Sequence, residues 1–273
     1  MSGEKRWARI LAPLSGTPED EAVLGAARTL AEPFGAEVAG VFAPTDAAEL
    51  MPWVGEGIMG GVYLTALDSL KEANREGEGR ARSAYQAAGV QGGFTALSSP
   101  IWAAMGMEAR LSDVVVFPEA AARGRGPLAQ TFEQVLTEER RPVLVARPGL
   151  ARGGTAVVAW DGGKEATRAA RAAVPWLRQA GRTVIVSVRS SGVRPFEPAR
   201  LAAYYAARGV PAEVTELQPS GDVAKQLLGA TREAGANLLV AGAFGHPRLQ
   251  EFIFGGSTRV FLHSDGPALF LSH

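Results

Sequence analysis

The chain has 273 residues, no cysteine, and 28 basic against 28 acidic residues, which gives a formal net charge of zero. This length suggests two domains on a prior of ~150 residues each. The missing cysteine excludes disulfides, thiolate catalysis and cysteine metal sites, and the balanced charge argues against nucleic acid or an anionic membrane as a partner.

The chain begins with strand and helix signals rather than a targeting segment. It shows no signal-peptide apolar core and no apolar run near the ~20 residues of a membrane span, so we expect a cytoplasmic protein. The apolar segment 10–14 is predicted to be a strand. The string Thr17-Pro18-Glu19-Asp20 then indicates a helix start, with a threonine N-cap, a proline at the first helical position and acids in the first turn.

The second half of the chain repeats the first. Three segments recur in the same order, at offsets near 146, 120 and 125: 10–17 with 157–163, 85–90 with 205–210, and 141–145 with 266–270. Unequal offsets in a preserved order imply a duplication with one large insertion, which lies between Val41 and Tyr85 and includes residues 45–63. We therefore predict domains at 1–149 and 154–273, joined by the glycine-rich linker 148–154.

Within each half, short apolar runs alternate with helical stretches. In the second half the predicted strands are 156–160, 183–188, 212–217, 238–241 and 268–271, and the predicted helices are 164–179, 198–207, 223–234 and 257–263. The alternation predicts two tandem doubly wound, Rossmann-like α/β domains, each a mainly parallel five-stranded sheet flanked by helices. We expect the sheets to pack as an intrachain pseudo-dimer through their fifth strands, 142–146 and 268–271. The sequence is also compatible with a homodimer of two chains.

A glycine pattern follows the fourth strand of the second half. It comprises six residues, with nine positions between the second and third: Gly242, Gly245, Gly255, Gly256, Ser257 and Thr258. Glycines past a parallel strand let backbone approach a ligand, and amides at a helix N-terminus bind anions, phosphate above all. The pattern favours a nucleotide phosphate site, with tight turns as the alternative explanation.

The loop that begins at Ala159 would meet this pattern, because ligands of doubly wound sheets bind beyond the strand ends where the strand order reverses. Asp161 in the loop offers a carboxylate to a ribose or a base edge, although a helix cap is an equally good explanation. His246 is interpreted as a loop residue near phosphate rather than a base. We assign no catalytic and no metal-binding residue, because zinc-ligand spacing, a nucleophile elbow and a Walker loop are all absent from the sequence.

The spacing Gly242-x-x-Gly245, nine residues and Gly255 resembles the nucleotide-binding members of the universal stress protein family, in the tandem form with two such domains in one chain. Gly256 stands where these members carry a small hydroxyl residue, and Ser257 and Thr258 follow directly. The resemblance covers essentially the whole chain. It implies a small-molecule nucleotide partner, ATP, accompanied by Mg²⁺ or Mn²⁺.

The resemblance also implies where the ligand lies. Asp161 would meet the adenosine and Val188, at the end of the second strand, would contact the base. The whole predicted binding set is Ala159, Asp161, Val188, Ala241, Gly242, Gly245, His246, Gly255, Gly256, Ser257 and Thr258.

The first half departs from this pattern. At an offset of 125 the three motif glycines fall opposite Phe117, Ala120 and Gln130, and Asp161 falls opposite Ser15. Bulk at Phe117 and the carboxylate of Glu119 would oppose a triphosphate. The first half is therefore predicted to be a degenerate partner domain without this site.

Three functions follow from these patterns. The first is an ATP-binding universal stress protein that acts in the stress response, with its site in the C-terminal domain only and at most slow hydrolysis. The second is an interaction or adaptor protein that uses the N-terminal domain and the insertion 45–63 as its binding surface. An adenylyl-transfer enzyme ranks last, because no acid, base or nucleophile constellation supports it.

Overall fold

The computed structural model describes residues 6–44, 60–98, 101–189, 197–243 and 256–273. The first half contains β1 (Arg9–Leu14), α1 (Glu19–Ala31), a 3₁₀ turn (Glu32–Phe34), β2 (Glu37–Phe42), α2 (Gly60–Ala88), β3 (Phe94–Ala96), α3 (Ile101–Arg110), β4 (Val114–Pro118), α4 (Glu119–Ala122), α5 (Ala129–Thr137) and β5 (Val143–Ala146). Of the predicted insertion, residues 60–63 belong to α2, and 45–59 lie outside the described residues.

The second half follows the same order of elements. It contains β6 (Thr155–Ala159), α6 (Lys164–Ala172), α7 (Val174–Leu177), β7 (Arg182–Val188), α8 (Pro198–Ala206), β8 (Glu213–Leu217), α9 (Val223–Glu233), β9 (Ala236–Gly242), α10 (Gly256–His263) and β10 (Ala268–Ser272). Every strand predicted in the second half is present, and so is every helix except that the one predicted over 164–179 is divided into two, because these segments carry an apolar period and a glycine or proline boundary. Among the described helices, none is long and apolar enough to cross a membrane.

One ten-stranded sheet forms the centre of the molecule. Its order is β3-β2-β1-β4-β5-β10-β9-β6-β7-β8, so each half contributes the same doubly wound arrangement. Neighbouring strands are parallel except at the junction, where β5 and β10 pair antiparallel with Leu144 opposite Phe270. The predicted contact between the fifth strands is confirmed, and it joins the two five-stranded sheets edge to edge into a single sheet.

The apolar cores on both faces of the sheet continue across the junction. One face packs α1, α2, α6 and α8 over Ile10, Val116, Val158 and Phe270. The other packs α3, α5, α9 and α10 over strand residues such as Val115. The two halves therefore share their cores and form one packing unit.

Trp7 shows how closely the halves pack. Its ring lies parallel to the rings of Phe270 and Trp176 of the second half, at centroid distances of 5.9 Å and 6.5 Å. The edge of Phe34 completes the cluster at 5.4 Å. Such pairs add about 0.5–1.5 kcal/mol each beyond the burial of their area, so this cluster is a principal contact between the halves.

Two local predictions are wrong. Thr17 does not cap α1, because the N-cap position is Pro18 and the Thr17 hydroxyl lies 2.9 Å from the hydroxyl of Ser15 instead. The helix predicted over 164–179 is divided at Ala173 into α6 and α7, with Pro175 in the first turn of α7. Proline lacks the amide that a continuous helix would need there.

The matched tyrosines of the duplication occupy corresponding helices but bind different elements. The Tyr85 hydroxyl of α2 donates to the Val38 carbonyl of β2 at 2.7 Å. The Tyr205 hydroxyl of α8 donates to the Ala170 carbonyl of α6 at 3.0 Å. The repeat therefore preserves the helix positions while the anchoring contacts have diverged.

Candidate functional site

The strand order of the second half reverses between β6 and β9, which pair in parallel with Val158 opposite Val240. The loop after β6 and the segment after β9 leave the same, carboxyl edge of the sheet. Ligands of doubly wound sheets bind in the crevice at such a reversal. The structure therefore brings Asp161 and Gly242 to one edge, as the sequence predicted.

Asp161 lies on the surface of this edge, directly before α6. Its Oδ1 accepts a hydrogen bond from the Gly163 amide at 2.7 Å, across Gly162 in the left-handed region (φ 78°). The N-cap residue of α6 is Gly163, which provides no side-chain cap, and Asp161 bonds the amide of Gly163 itself rather than one in the first turn of the helix. Asp161 therefore shapes the loop rather than capping the helix, and its exposed carboxylate faces solvent.

Gly242 has a packing role that the sequence did not reveal. A Cβ on Gly242 would overlap the backbone nitrogen of Ala166 and lie 2.7 Å from the carbonyl carbon of Glu165, both in the first turn of α6. The missing side chain lets β9 approach α6. Close helix–strand packing therefore explains this glycine without any ligand.

The start of α10 lies towards the same edge. Helix α10 precedes β10 by a short connection, and β10 runs parallel to β9, so α10 runs back and its N-terminus points to the carboxyl edge of β9. Ser257 in its first turn is exposed and Thr258 is buried. The N-termini of α6 and α10 are oriented to one edge, and the positive ends of their helix dipoles favour an anion there.

The remaining predicted residues divide into two groups. Ala159 and Ala241 have buried side chains, so only their backbone groups could face a ligand, and Val188 is half-buried at the end of β7. Gly245, His246 and Gly255 lie outside the described residues. Within the described part of the chain, no group of three histidine, aspartate or glutamate side chains is placed to hold a metal ion.

The corresponding edge of the first half is filled by its own side chains. After β1, the buried carboxylate of Asp20 accepts hydrogen bonds from the amides of Ser15 and Gly16 at 2.9 Å and 2.8 Å. Helix α2 packs against the loop after β1, and Arg80 Nε of this helix donates to the Gly16 carbonyl at 2.8 Å. A Cβ on Gly16 would lie 2.5 Å from the Gly77 Cα of that helix. The amides that could bind an anion are thus already bonded.

Replacing Asp20 with alanine is expected to lower the free energy of unfolding by about 1–3 kcal/mol, because the buried Gly16 amide and the partly buried Ser15 amide lose their acceptor. Burial raises the pKa of Asp20 above 3.8, against the lowering effect of the bonds from Ser15 and Gly16. A raised pKa means that the folded state binds the proton more tightly. The stabilisation by Asp20 is therefore greatest below pH 3.8 and declines as the pH rises through the folded-state pKa.

Urea unfolding of the wild type and Asp20→Ala, from below pH 3.8 to neutral pH, measures the difference in their free energies of unfolding. The exposed Asp68→Ala in α2 serves as the control and should leave stability unchanged within about 0.5 kcal/mol. Equal stability of Asp20→Ala and the wild type at every pH would contradict the claim that Asp20 stabilises the loop after β1.

The segment after β4 also differs from its counterpart after β9. Strand pairing places Pro118 next to Ala146 and Gly242 next to Ser272, so Pro118, rather than Phe117, is the counterpart of Gly242. The carboxylate of Glu119 is not available to oppose a phosphate. It accepts from Arg147 Nε at 2.6 Å and from Arg123 Nη2 at 2.8 Å.

Sequence reasoning missed Arg147, whose side chain is only 2% exposed. Burial lowers the pKa of this guanidinium, and the neighbouring Glu119 opposes that effect. One signal in the sequence was available: Arg147 directly follows the apolar strand β5. A charged side chain at a buried position is seldom found without a partner, so this position predicts an ion pair.

No protein-family model and no curated protein matches the chain. Solved structures do match it in fold. A universal stress protein from Archaeoglobus fulgidus DSM 4304 superposes with a TM-score of 0.69 at 16% identity, over 98% of this chain and 96% of that chain. A functionally unknown protein from Pseudomonas aeruginosa PAO1 gives 0.54 at 14% identity, over 97% and 92% of the two chains. A candidate universal stress protein from Pseudomonas aeruginosa UCBPP-PA14 gives 0.54 at 15%, over 97% and 93%.

Proposed function

We propose that this chain, whose fold is that of the universal stress proteins, binds ATP in its C-terminal half and acts in the stress response through nucleotide occupancy. The nucleoside would lie against Asp161 and Val188. The phosphates would lie at the start of α10, against Gly256 and Ser257, and along the glycine segment before it. The proposal assigns no catalytic residue.

The observation that supports this proposal is the difference between two equivalent edges of the sheet. In the second half, the reversal between β6 and β9 presents an exposed carboxylate and two helix N-termini. In the first half, Asp20 and α2 bond and cover the same region. A ligand that carries a ribose and a polyanion fits the edge of the second half and has no place at the edge of the first half.

A divalent cation is compatible with this site although the described residues offer no ready-made cage. Mg²⁺ in nucleotide sites keeps several waters and is held mainly by the phosphates, with one or two protein ligands. The hydroxyl of Ser257, exposed in the first turn of α10, would supply one oxygen. The cation would neutralise phosphate charge, and the chain's own residues would orient the nucleotide.

Addition of ATP with Mg²⁺ is expected to raise the melting temperature of the wild type by about 5 °C when free ATP is 100-fold above Kd, since binding then stabilises the fold by about 2.7 kcal/mol. Gly245→Val should abolish this rise, because a branched side chain would block the approach of backbone to phosphate. Asp161→Ala should reduce it, with little change in the melting temperature without ligand, because Asp161 is exposed and bonds only Gly163 among the described residues.

Asp68→Ala is the matched control for Asp161→Ala, because both carboxylates are exposed and Asp68 lies on α2 of the other half. It should respond to ATP as the wild type does. An unchanged ATP response in Gly245→Val and Asp161→Ala would refute the site. A wild type that ignores millimolar ATP would refute the nucleotide function and favour the adaptor alternative.

A further inference from the structure

Two arginines of the first half hold the C-terminal end of α10. Arg147 Nη2 donates to the carbonyl oxygens of Phe261 and Leu262 at 3.1 Å and 3.0 Å. Arg123 Nε donates to the Leu262 carbonyl at 3.1 Å. These carbonyls have no partner within the helix, so the arginines satisfy groups that would otherwise be left unbonded.

Glu119 fixes both arginines in this position. Its Oε1 accepts from Arg147 and from Arg123, as described above, and Arg147 Nη1 also approaches the Pro267 carbonyl at 3.4 Å. Asp265 lies 3.6 Å from Arg123 but is fully exposed, so solvent screens that pair. Arg123 and Arg147 together carry one more charge than Glu119, and this excess positive charge complements the dipole at the C-terminal end of α10.

The position of Glu119 gives this cluster its significance. Glu119 directly follows β4, and the residue that directly follows β9 is Ala243, at the start of the glycine segment. The first half therefore uses the place of a phosphate loop to hold a helix of the second half. Arg147 lies one residue beyond the pair Pro118–Ala146, and the residue one beyond the corresponding pair Gly242–Ser272 is His273.

The corresponding contact in the second half remains within that half. His273 Nδ1 lies 3.0 Å from the Ala243 carbonyl oxygen, on the first residue of the glycine segment. The arginine contact, in contrast, runs from the first half to the second. The two halves therefore also differ in this contact: Arg147 of the first half bonds the second half, whereas His273 of the second half bonds its own half.

Helix α10 is short enough for its two ends to depend on each other. It has eight residues, Gly256–His263, and so spans about 12 Å. Helices of this length are marginal without tertiary contacts. An anion at its N-terminus and cations at its C-terminus stabilise the same helix dipole, and a helix fixed at one end presents its other end in one position.

We infer that Arg147 and Arg123 are positioning residues for the nucleotide site: they hold α10 so that Gly256 and Ser257 present their amides to the phosphates. This inference rests on the proposed function. It gives the first half, which lacks a nucleotide site of its own, a role in binding at the site of the second half. It also separates phosphate recognition, which depends on α10, from nucleoside recognition at Asp161 and Val188.

The test compares the Kd of ATP with the Kd of adenosine by titration calorimetry. Arg123→Met removes one guanidinium from a partly exposed place. Glu119→Gln with Arg147→Met removes the buried guanidinium together with its carboxylate partner, and Arg123 keeps its pairing with Asp265 at 3.6 Å. Both variants should bind ATP about 3- to 10-fold more weakly, because one helix-end charge interaction and its positioning are lost. Adenosine affinity should be unchanged.

Arg110→Met is the matched control, because Arg110 pairs with Glu139 on the surface and makes no bond to α10. It should bind both ligands as the wild type does, and Arg123→Lys should recover most of the ATP affinity. If the wild type binds ATP and both the Arg123→Met variant and the double variant bind it equally well, the inference is wrong and the proposed function stands. Equal weakening of ATP and adenosine would also overturn the inference. A wild type that binds no ATP overturns the proposed function itself.

Discussion

Gly242→Val is expected to destabilise the protein by about 3 kcal/mol or more, whether or not nucleotide is present. A side chain at this position would overlap the first turn of α6 at Glu165 and Ala166, where the obstacle is backbone and cannot rotate away. Overpacking of a core by a few methyl groups costs about 1–3 kcal/mol even when side chains can adjust. Thermal or urea unfolding of the purified variant measures the loss.

Gly229→Ala is the matched control for this change. Gly229 lies in α9, nothing lies within 4 Å of the added Cβ, and alanine in a helix is more stable than glycine by about 0.5–1 kcal/mol. The control should therefore be neutral or slightly more stable. If Gly242→Val unfolds like the wild type and only loses ATP binding, then Gly242 serves the ligand and the packing explanation is wrong.

Trp7→Ala is expected to lower the free energy of unfolding by about 3–5 kcal/mol, the usual cost of removing a buried aromatic side chain. Trp7 is buried between Phe270 of β10 and Trp176 of α7, so the loss falls on the contact between the halves. The cores continue across the junction, and we expect the wild type to unfold in one transition. Calorimetric scans of both proteins measure the loss and the number of transitions.

Leu111→Ala is the control for Trp7→Ala, because Leu111 is 80% exposed at the end of α3 and touches no core. It should change stability by less than about 0.5 kcal/mol. Trp7→Phe should lose less than Trp7→Ala, since it keeps a ring between Phe270 and Trp176. Two separate transitions in the wild type would contradict a shared core.

The fold could be predicted from the sequence because its signals are local and repeated. Apolar runs of strand length, helices with one apolar face and glycine or proline boundaries occur twice in the same order, and each repeat supports the other. The antiparallel pairing of β5 with β10 also follows from apolar fifth strands that would otherwise remain unpaired edges. The failures at Thr17 and Ala173 concern helix ends, where a short contact such as Ser15 with Thr17 competes with the expected cap.

The candidate site could be predicted only in part. The sequence placed Asp161 and Gly242 at one edge of the sheet, and the strand order confirms that. It could not reveal that Gly242 is required by the packing of α6, because that contact joins residues far apart in the chain. For the same reason the sequence could not predict the cluster of Glu119, Arg123 and Arg147. The partners of its arginines lie on α10, more than a hundred positions away in the chain.

These contacts change the interpretation of the first half. Its edge is not merely a site that has lost glycines, because Asp20 and Arg80 bond the loop after β1 and Glu119 organises the arginines that hold α10. The duplication has produced a second half in which Asp161 is exposed and a first half in which Asp20 and Arg80 bond the corresponding loop. Under the proposed function, the first half supports nucleotide binding by the second half.

Calorimetric titration of ATP with Mg²⁺ into the 273-residue chain measures whether the second half alone binds nucleotide. We expect one nucleotide bound per chain, with binding abolished by Gly245→Val, weakened by Asp161→Ala and retained in Asp20→Ala wherever that variant is folded. Two nucleotides per chain, no binding at millimolar ATP, or binding lost in Asp20→Ala but kept in Gly245→Val would contradict it.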